Sequence, residues 1–225
     1  MRLARGLFYV LMATAALAAG ASLSHAQGTY ANGAYLVGSL PMGHWGKIAG
    51  FGLGIDGANI VHTDPQKAFG IRSNLGWVYN FARTQDIPQA NLTGNSKLAV
   101  ETKNMSLYFG LGPEIGKQAG GLFGFGTVGF NTYWTSSNMS GTAGGAPYYG
   151  KFGDSRIGFA WSAGAGIRKP SANGPGKIEL SGEYRSGGGH MFIDPDEVTN
   201  TGTTVNVVRK ARTTDQILIR LGSVF

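Results

Sequence analysis

The sequence has no cysteine, which excludes a disulfide framework, a thiolate metal site and a cysteine-borne lipid anchor. Charge is sparse at 14%, and proline is limited to 8 of 225 residues. Beyond the first two dozen residues no segment approaches the ~20 apolar residues that a membrane-crossing helix needs. No helical period emerges there either. Glycine, by contrast, is heavily used at 38 residues, and its lack of a three-residue period rules out collagen.

The first residues have the layout of an export signal. Arg2 and Arg5 form a positive start, Leu7 to Ala19 an apolar stretch, and Ser24-His25-Ala26 a small-x-small cleavage site before Gln27. The expected organisation is a signal peptide at 1–26, a short periplasmic lead at 27–32 and one folded unit at 33–225. Without Arg2 and Arg5 there remain 17 Lys+Arg against 12 Asp+Glu, a net charge of +5. Export and the lack of a basic stripe argue against nucleic acid as a partner.

What the chain does contain is alternation. In Phe69 to Arg83, the residues Phe69, Ile71, Leu75, Trp77, Tyr79 and Phe81 share one parity, with Gly70, Arg72, Asn74 and Gly76 on the other. Successive strand residues face opposite sides, so this reads as a strand with one apolar face. Similar runs span 34–40, 50–61, 99–113, 121–134, 155–168, 176–186 and 213–225, eight in all. In 121–134 the parity switches between Phe123/Phe125 and Val128/Phe130/Trp134, which suggests a bulge. Connections alternate in character: a brief loop at 42–47, a turn, a polar loop at 85–97, a turn, a Ser/Gly/Asn-rich loop at 135–153, a turn, and the longest loop at 187–212.

The polar faces collect Asp56, Arg72, Arg156, Arg168, Lys177, Glu179, Glu183, Arg185 and Arg220 among many glycines. Glycine weakens a strand unless something must approach its backbone. A glycine-rich inner wall leaves room for long charged side chains to cross a narrow lumen, where they must pair. Arg185 or Arg220 with Glu179 or Glu183 is the expected network. The opposite faces carry Phe, Trp, Ile and Leu, with Phe51, Phe81, Trp134 and Tyr184 expected in one aromatic girdle and Phe69 and Phe225 in the other.

The final stretch carries apolar Ile217, Ile219, Leu221 and Phe225 at alternate positions, with Ser223 interrupting them. A terminal Phe after such a run resembles the closing strand of bacterial outer-membrane barrels. With the signal, eight alternating strands and the loop–turn rhythm, the chain from residue 33 resembles the small eight-stranded OmpA/OmpX/OmpW-like group. The resemblance implies an all-β, antiparallel up-and-down transmembrane barrel in the outer membrane of a Gram-negative-type envelope. It also implies assembly by the insertion machinery, which reads the last strand through Ile217, Ile219, Leu221 and Phe225.

Candidate chemistry is thin. Two GxGxxG matches, Gly52-Gly54-Gly57 and Gly124-Gly126-Gly129, lie within strands with no helix after them, which is wrong for a dinucleotide site. His44, His62 and His190 lack metal-ligand spacing, so neither metal nor cofactor is expected. Ser186 and Asp194 flank His190 by four residues each, the one arrangement available to a lipid-modifying outer-membrane enzyme. Arg209, Lys210 and Arg212 form the densest basic cluster, the candidate contact for lipopolysaccharide phosphates. The acidic run Asp194 to Glu197 can hold Ca²⁺ or pair with those cations, but lacks a known calcium-loop spacing.

Eight strands leave an interior just wide enough for side chains to fill. The leading expectation is a monomeric, non-enzymatic barrel acting through its outer loops, with membrane lipid and lipopolysaccharide as partners. A narrow path for small or apolar solutes is the first alternative, and the lipid enzyme the second.

Overall fold

The computed structural model describes residues 30–117, 119–172, 176–202 and 204–225. The expected signal peptide, and the lead as far as residue 29, lie outside them. Eight strands follow in chain order: β1 (Tyr30–Pro41), β2 (Gly52–His62), β3 (Phe69–Asp86), β4 (Lys97–Gly116), β5 (Gly121–Ala143), β6 (Ala146–Pro170), β7 (Lys177–Thr201) and β8 (Thr204–Val224). Each pairs antiparallel with the next, and β1 pairs with β8 to close the barrel, for example Leu36 opposite Leu221. The closing seam runs to the last residue, with the Phe225 amide donating to the Asn32 carbonyl at 2.9 Å and the reverse bond at 2.8 Å. β1 begins at Tyr30, inside the stretch read as a lead.

Alternation sorts the side chains as period 2 requires. Leu36, Leu53, Ile71, Phe109, Phe130, Phe159, Leu180 and Leu221 are exposed on the outside, one or more from every strand. All six girdle aromatics are exposed as well. Arg72, Arg168, Arg185 and Arg220 are fully buried inside. This inverts a water-soluble barrel, and an apolar belt around the whole circumference far exceeds the patch a soluble monomer exposes.

The fifth strand needs no bulge. β5 pairs with β6 without interruption from Gly121↔Arg168 to Ala143↔Ala146. Its odd residues face inward throughout, so Phe123 and Phe125 lie in the lumen while Val128, Phe130 and Trp134 face out. The register shifts occur elsewhere, at Asn80/Arg83 against β4 and at Gly187/His190 and Ile193/Val198 against β8.

Two expected loops are strands. The 135–153 stretch is a continuation of β5 and β6 around Gly144 and Gly145, both at positive φ (58° and 83°), the geometry of a tight two-residue hairpin. The 187–212 stretch extends β7 and β8 to a turn at Gly202. On β7 and β8 the apolar outer band ends at Tyr184 and Ile217, so residues 188–215 of this hairpin project beyond it. Both hairpins rise from the end opposite Tyr30 and Phe225. Between them sits a second core of Ile87, Leu98, Val100, Met139, Ile193 and Val198. β6 and β7 stop pairing at Ala160↔Gly187, so the hairpins part above that level.

The 42–47 stretch, expected as a loop, is a short helix, α1 (Gly43–Ile48), folded across the same mouth. The 85–97 connection keeps a loop character around a single 3-10 turn at Gln89–Asn91.

Candidate functional site: the charged lumen and its cap

Inside the barrel the charged side chains form two neutral groups. Nearer the termini, Arg72 and Arg168 alternate with Glu114 and Glu179. Arg72 donates to Glu114 at 2.9 Å and approaches Glu179 at 3.4 Å, while Arg168 donates to Glu114 at 2.6 Å and to Glu179 at 2.7 Å. This closes a ring of four charges contributed by β3, β4, β6 and β7. Further up, Arg220 pairs with both Asp56 and Glu183, and Arg185 holds Glu183 at 2.7 Å. Tyr108 donates to Asp56 at 3.0 Å. Four arginines face four carboxylates, and none of the eight side chains exceeds 1% exposure.

Such burial is tolerable only with partners on every charge. The aromatics supply the remaining wall. The Arg168 guanidinium lies 4.0 Å from the Phe123 ring centre, Arg72 lies 4.7 Å from that of Phe125, and Arg185 lies 4.1 Å from that of Tyr108. Cations over ring faces gain most where water is excluded.

The glycines have a different task from the one their sequence pattern suggested. A Cβ on Gly76 would lie 2.3 Å from the Tyr108 hydroxyl, one on Gly164 2.5 Å from the Phe125 ring, and one on Gly166 2.7 Å from the Phe123 ring. Each of these glycines stands directly across the strand from its aromatic. They make room for the rings, and the rings hold the arginines.

Of the expected network, Asp56, Arg72, Arg168, Glu179, Glu183, Arg185 and Arg220 come together. Arg156 does not: it stands on the β6 extension, half exposed, paired with Asp154 at 3.2 Å. Lys177 lies at the terminus-bearing rim and makes no ion pair among the described residues. Glu114, which closes the lower ring, escaped the sequence reading because its strand was ended at Pro113. Its parity with Tyr108, Gly110 and Gly112 was the available signal.

Over the other mouth lies α1. Trp45, 1% exposed, packs edge-on to Tyr133 at 5.4 Å and against Phe192 at 5.2 Å, and Tyr133 in turn meets the His190 ring at 4.5 Å. The helix is tied down by a hydrogen bond from His44 to Asp194, by Lys47 with Asp196 at 3.6 Å, and by Arg83 donating to the Gly46 carbonyl. Burial would raise the Asp194 carboxyl, but His44, the Asp196 amide and Arg212 outweigh it and hold it below the usual carboxylate range. Burial pushes the His190 imidazole down to about 4.

The basic cluster is largely engaged. Lys210 and Arg212 both reach Glu197, at 2.7 and 2.9 Å, and Arg209 lies over the Phe152 ring at 5.4 Å. The acidic run therefore pairs with these cations, and among the described residues no group of three or more carboxylate or imidazole side chains is arranged to hold a metal. Ser186 donates to Asp215 at 2.7 Å and Asp194 is engaged by His44, so Ser186, His190 and Asp194 form no hydrogen-bonded relay. Both GxGxxG matches lie within β2 and β5. Ile219, Leu221 and Phe225 face outward and are exposed, and Ile217 shares their parity.

No family model matches the chain, and no curated protein matches it. Among solved structures it is similar to Ail, the attachment invasion locus protein of Yersinia pestis, at 12% identity over 87% of this chain and 96% of that one, with a TM-score of 0.43. It is similar also to a major outer membrane protein of Thermus thermophilus, at 12% identity over 87% and 98% with a TM-score of 0.42. Neisserial surface protein A matches at 10% over 87% and 95%, with a TM-score of 0.31. Eight antiparallel strands, closed without a free edge and apolar on the outside, decide the architecture. It is that of the small eight-stranded outer-membrane barrels. At these identities nothing about a partner or activity carries over.

Proposed function

We propose that the protein is an integral outer-membrane barrel whose lumen is filled by its own side chains and whose work is done by the projecting β5–β6 and β7–β8 hairpins at the outer surface. The observation that carries this reading is the pairing of four buried arginines with four buried carboxylates across the lumen. A conducting path would have to separate these charges or pass water between them, and α1 lies across the mouth above them. Closure of the barrel leaves the belt no free sheet edge, as a hydrocarbon environment demands. The end that bears the hairpins is then the outer one, and the end with Tyr30 and Phe225 the periplasmic one. Ser186 is engaged by Asp215 and Asp194 by His44, which removes the one arrangement that the sequence offered to a lipid-modifying enzyme.

Proteoliposomes containing the refolded protein test the reading. Retention of small sugars in a swelling assay, with the protein demonstrably inserted, supports a sealed barrel. Swelling above that of protein-free vesicles would support the solute-channel alternative instead.

A further inference from the structure

The terminus-bearing mouth holds positive charge that the lumen network does not use. Lys177 opens β7 on the inward face, and Lys67 lies in the β2–β3 turn; neither makes an ion pair among the described residues. Both lie within electrostatic reach of one another and of Arg168 or His62. Lys67 is the sole non-glycine residue at positive φ (53°) among the described residues, a conformation that disfavours a side chain with a Cβ. The turn is built to hold it there. Both Asp64 carboxylate oxygens are taken by backbone amides, Ala68 at 2.9 Å and Phe69 at 2.7 Å, and the Lys67 amide donates to the Asp64 carbonyl at 3.0 Å. The nearest acid is thus occupied with the turn itself.

At the inward end of β2, within electrostatic reach of Lys67 and Arg168, is His62. It is 5% exposed, and neither ring nitrogen has a hydrogen-bond partner among the described residues. A buried imidazole without partners is costly and calls for an occupant that can take its N–H. One Arg168 nitrogen, Nη2, is likewise unpartnered. Donors and positive charge converge here, and the acids that act on His62 are both engaged, Glu114 by Arg72 and Arg168 and Asp64 by the turn amides.

We propose that this mouth binds a phosphate-type oxyanion, held between the Lys67 and Lys177 ammonium groups with the His62 N–H donating to it. Charge-assisted bonds from several donors are the usual means of holding such a group. The phosphate can belong to a free anion or to the headgroup of an anionic phospholipid. The lipid source rests on the membrane reading above, whereas the free-anion source does not.

The test follows the His62 ring nitrogens by NMR in the full mature chain refolded in an alkyl maltoside. Inorganic phosphate is titrated in one arm, and phosphatidylglycerol is added to the micelles in the other. A saturable His62 shift with inorganic phosphate identifies a free-anion site, and one with phosphatidylglycerol alone identifies a headgroup site. In either case Lys177→Gln should weaken binding at least tenfold. Lys67→Gly should do the same, and it keeps the turn because glycine accepts positive φ without strain. No His62 shift with either ligand would overturn the proposal, as would an unchanged affinity in both folded variants.

Discussion

Arg72 donates through Nη1 to Glu114 at 2.9 Å, and the same carboxylate accepts from Arg168 on the far side of the barrel at 2.6 Å. Glu114 thus ties β3 to β6 through β4, and without it two buried guanidiniums share Glu179 alone. Removing one partner of a buried pair costs about 3–5 kcal/mol, because the other charge stays buried and uncompensated. Glu114→Gln should lower stability by about 3 kcal/mol or more in urea unfolding from detergent or vesicles. A loss below about 1 kcal/mol, the range of an exposed pair, would mean that water reaches the ring.

Gly76 and Tyr108 form a matched pair. Gly76→Ala drives a methyl group into the phenol ring, and overpacking of this kind costs about 1–3 kcal/mol. It should also displace the hydroxyl from Asp56. Adding Tyr108→Ala to Gly76→Ala removes the clash, so the two substitutions should be non-additive in a double-mutant cycle. Simple additivity would show that the ring has other space available.

The four tryptophans divide by face. Trp77, Trp134 and Trp161 point outward, whereas Trp45 is buried at the mouth opposite the termini. Single-tryptophan variants in brominated phospholipid should show strong quenching for the three outward residues and little for Trp45. Trp45 should also resist acrylamide. Equal quenching of all four would contradict either the lipid-facing belt or the docked helix.

The cap should loosen in acid in two steps. His190 is neutral in the fold with its value pushed down to about 4, below the ordinary ~6.5. The unfolded or undocked state therefore binds more protons between these values, and stability falls as pH drops from ~6.5 towards 4. The charged groups facing His190 are Asp154 and Arg156, which act in opposite directions. Asp194 adds a second loss only below the ordinary carboxylate value of ~3.9, as pH falls through its depressed value. Acrylamide access to Trp45 should rise from about pH 6 downward in the wild type. In a His190→Phe variant it should stay low until about pH 4. Identical profiles for the two would remove His190 from the account.

Much of this architecture was legible. The belt strands kept strict alternation because one side meets apolar surroundings and the other a packed, charged lumen, so each residue type had one place to go. Phe123 and Phe125 misled for a physical reason: they are apolar yet inward, since Gly164 and Gly166 opposite them open space and arginines need ring faces. The hairpin tips misled differently. Beyond the belt the inner face of β5 is buried but made mostly of small or polar residues, Thr135, Ser137 and Ala143 around the single Met139, so Ser136 to Gly153 carries no clean apolar face and reads as a loop. Val205 and Val207 did alternate, and Gly144-Gly145 marked the turn. The helix α1, at six residues, is too short to show a period, and only its burial of Trp45 against Tyr133 reveals it.

Single-channel recording of the refolded protein in a planar bilayer tests the central claim most directly. A lumen closed by Arg72, Arg168, Arg185 and Arg220 with their four carboxylates predicts stable insertion with no discrete conductance steps. Regular, voltage-independent steps from the wild-type protein would show that these pairs do not seal the barrel.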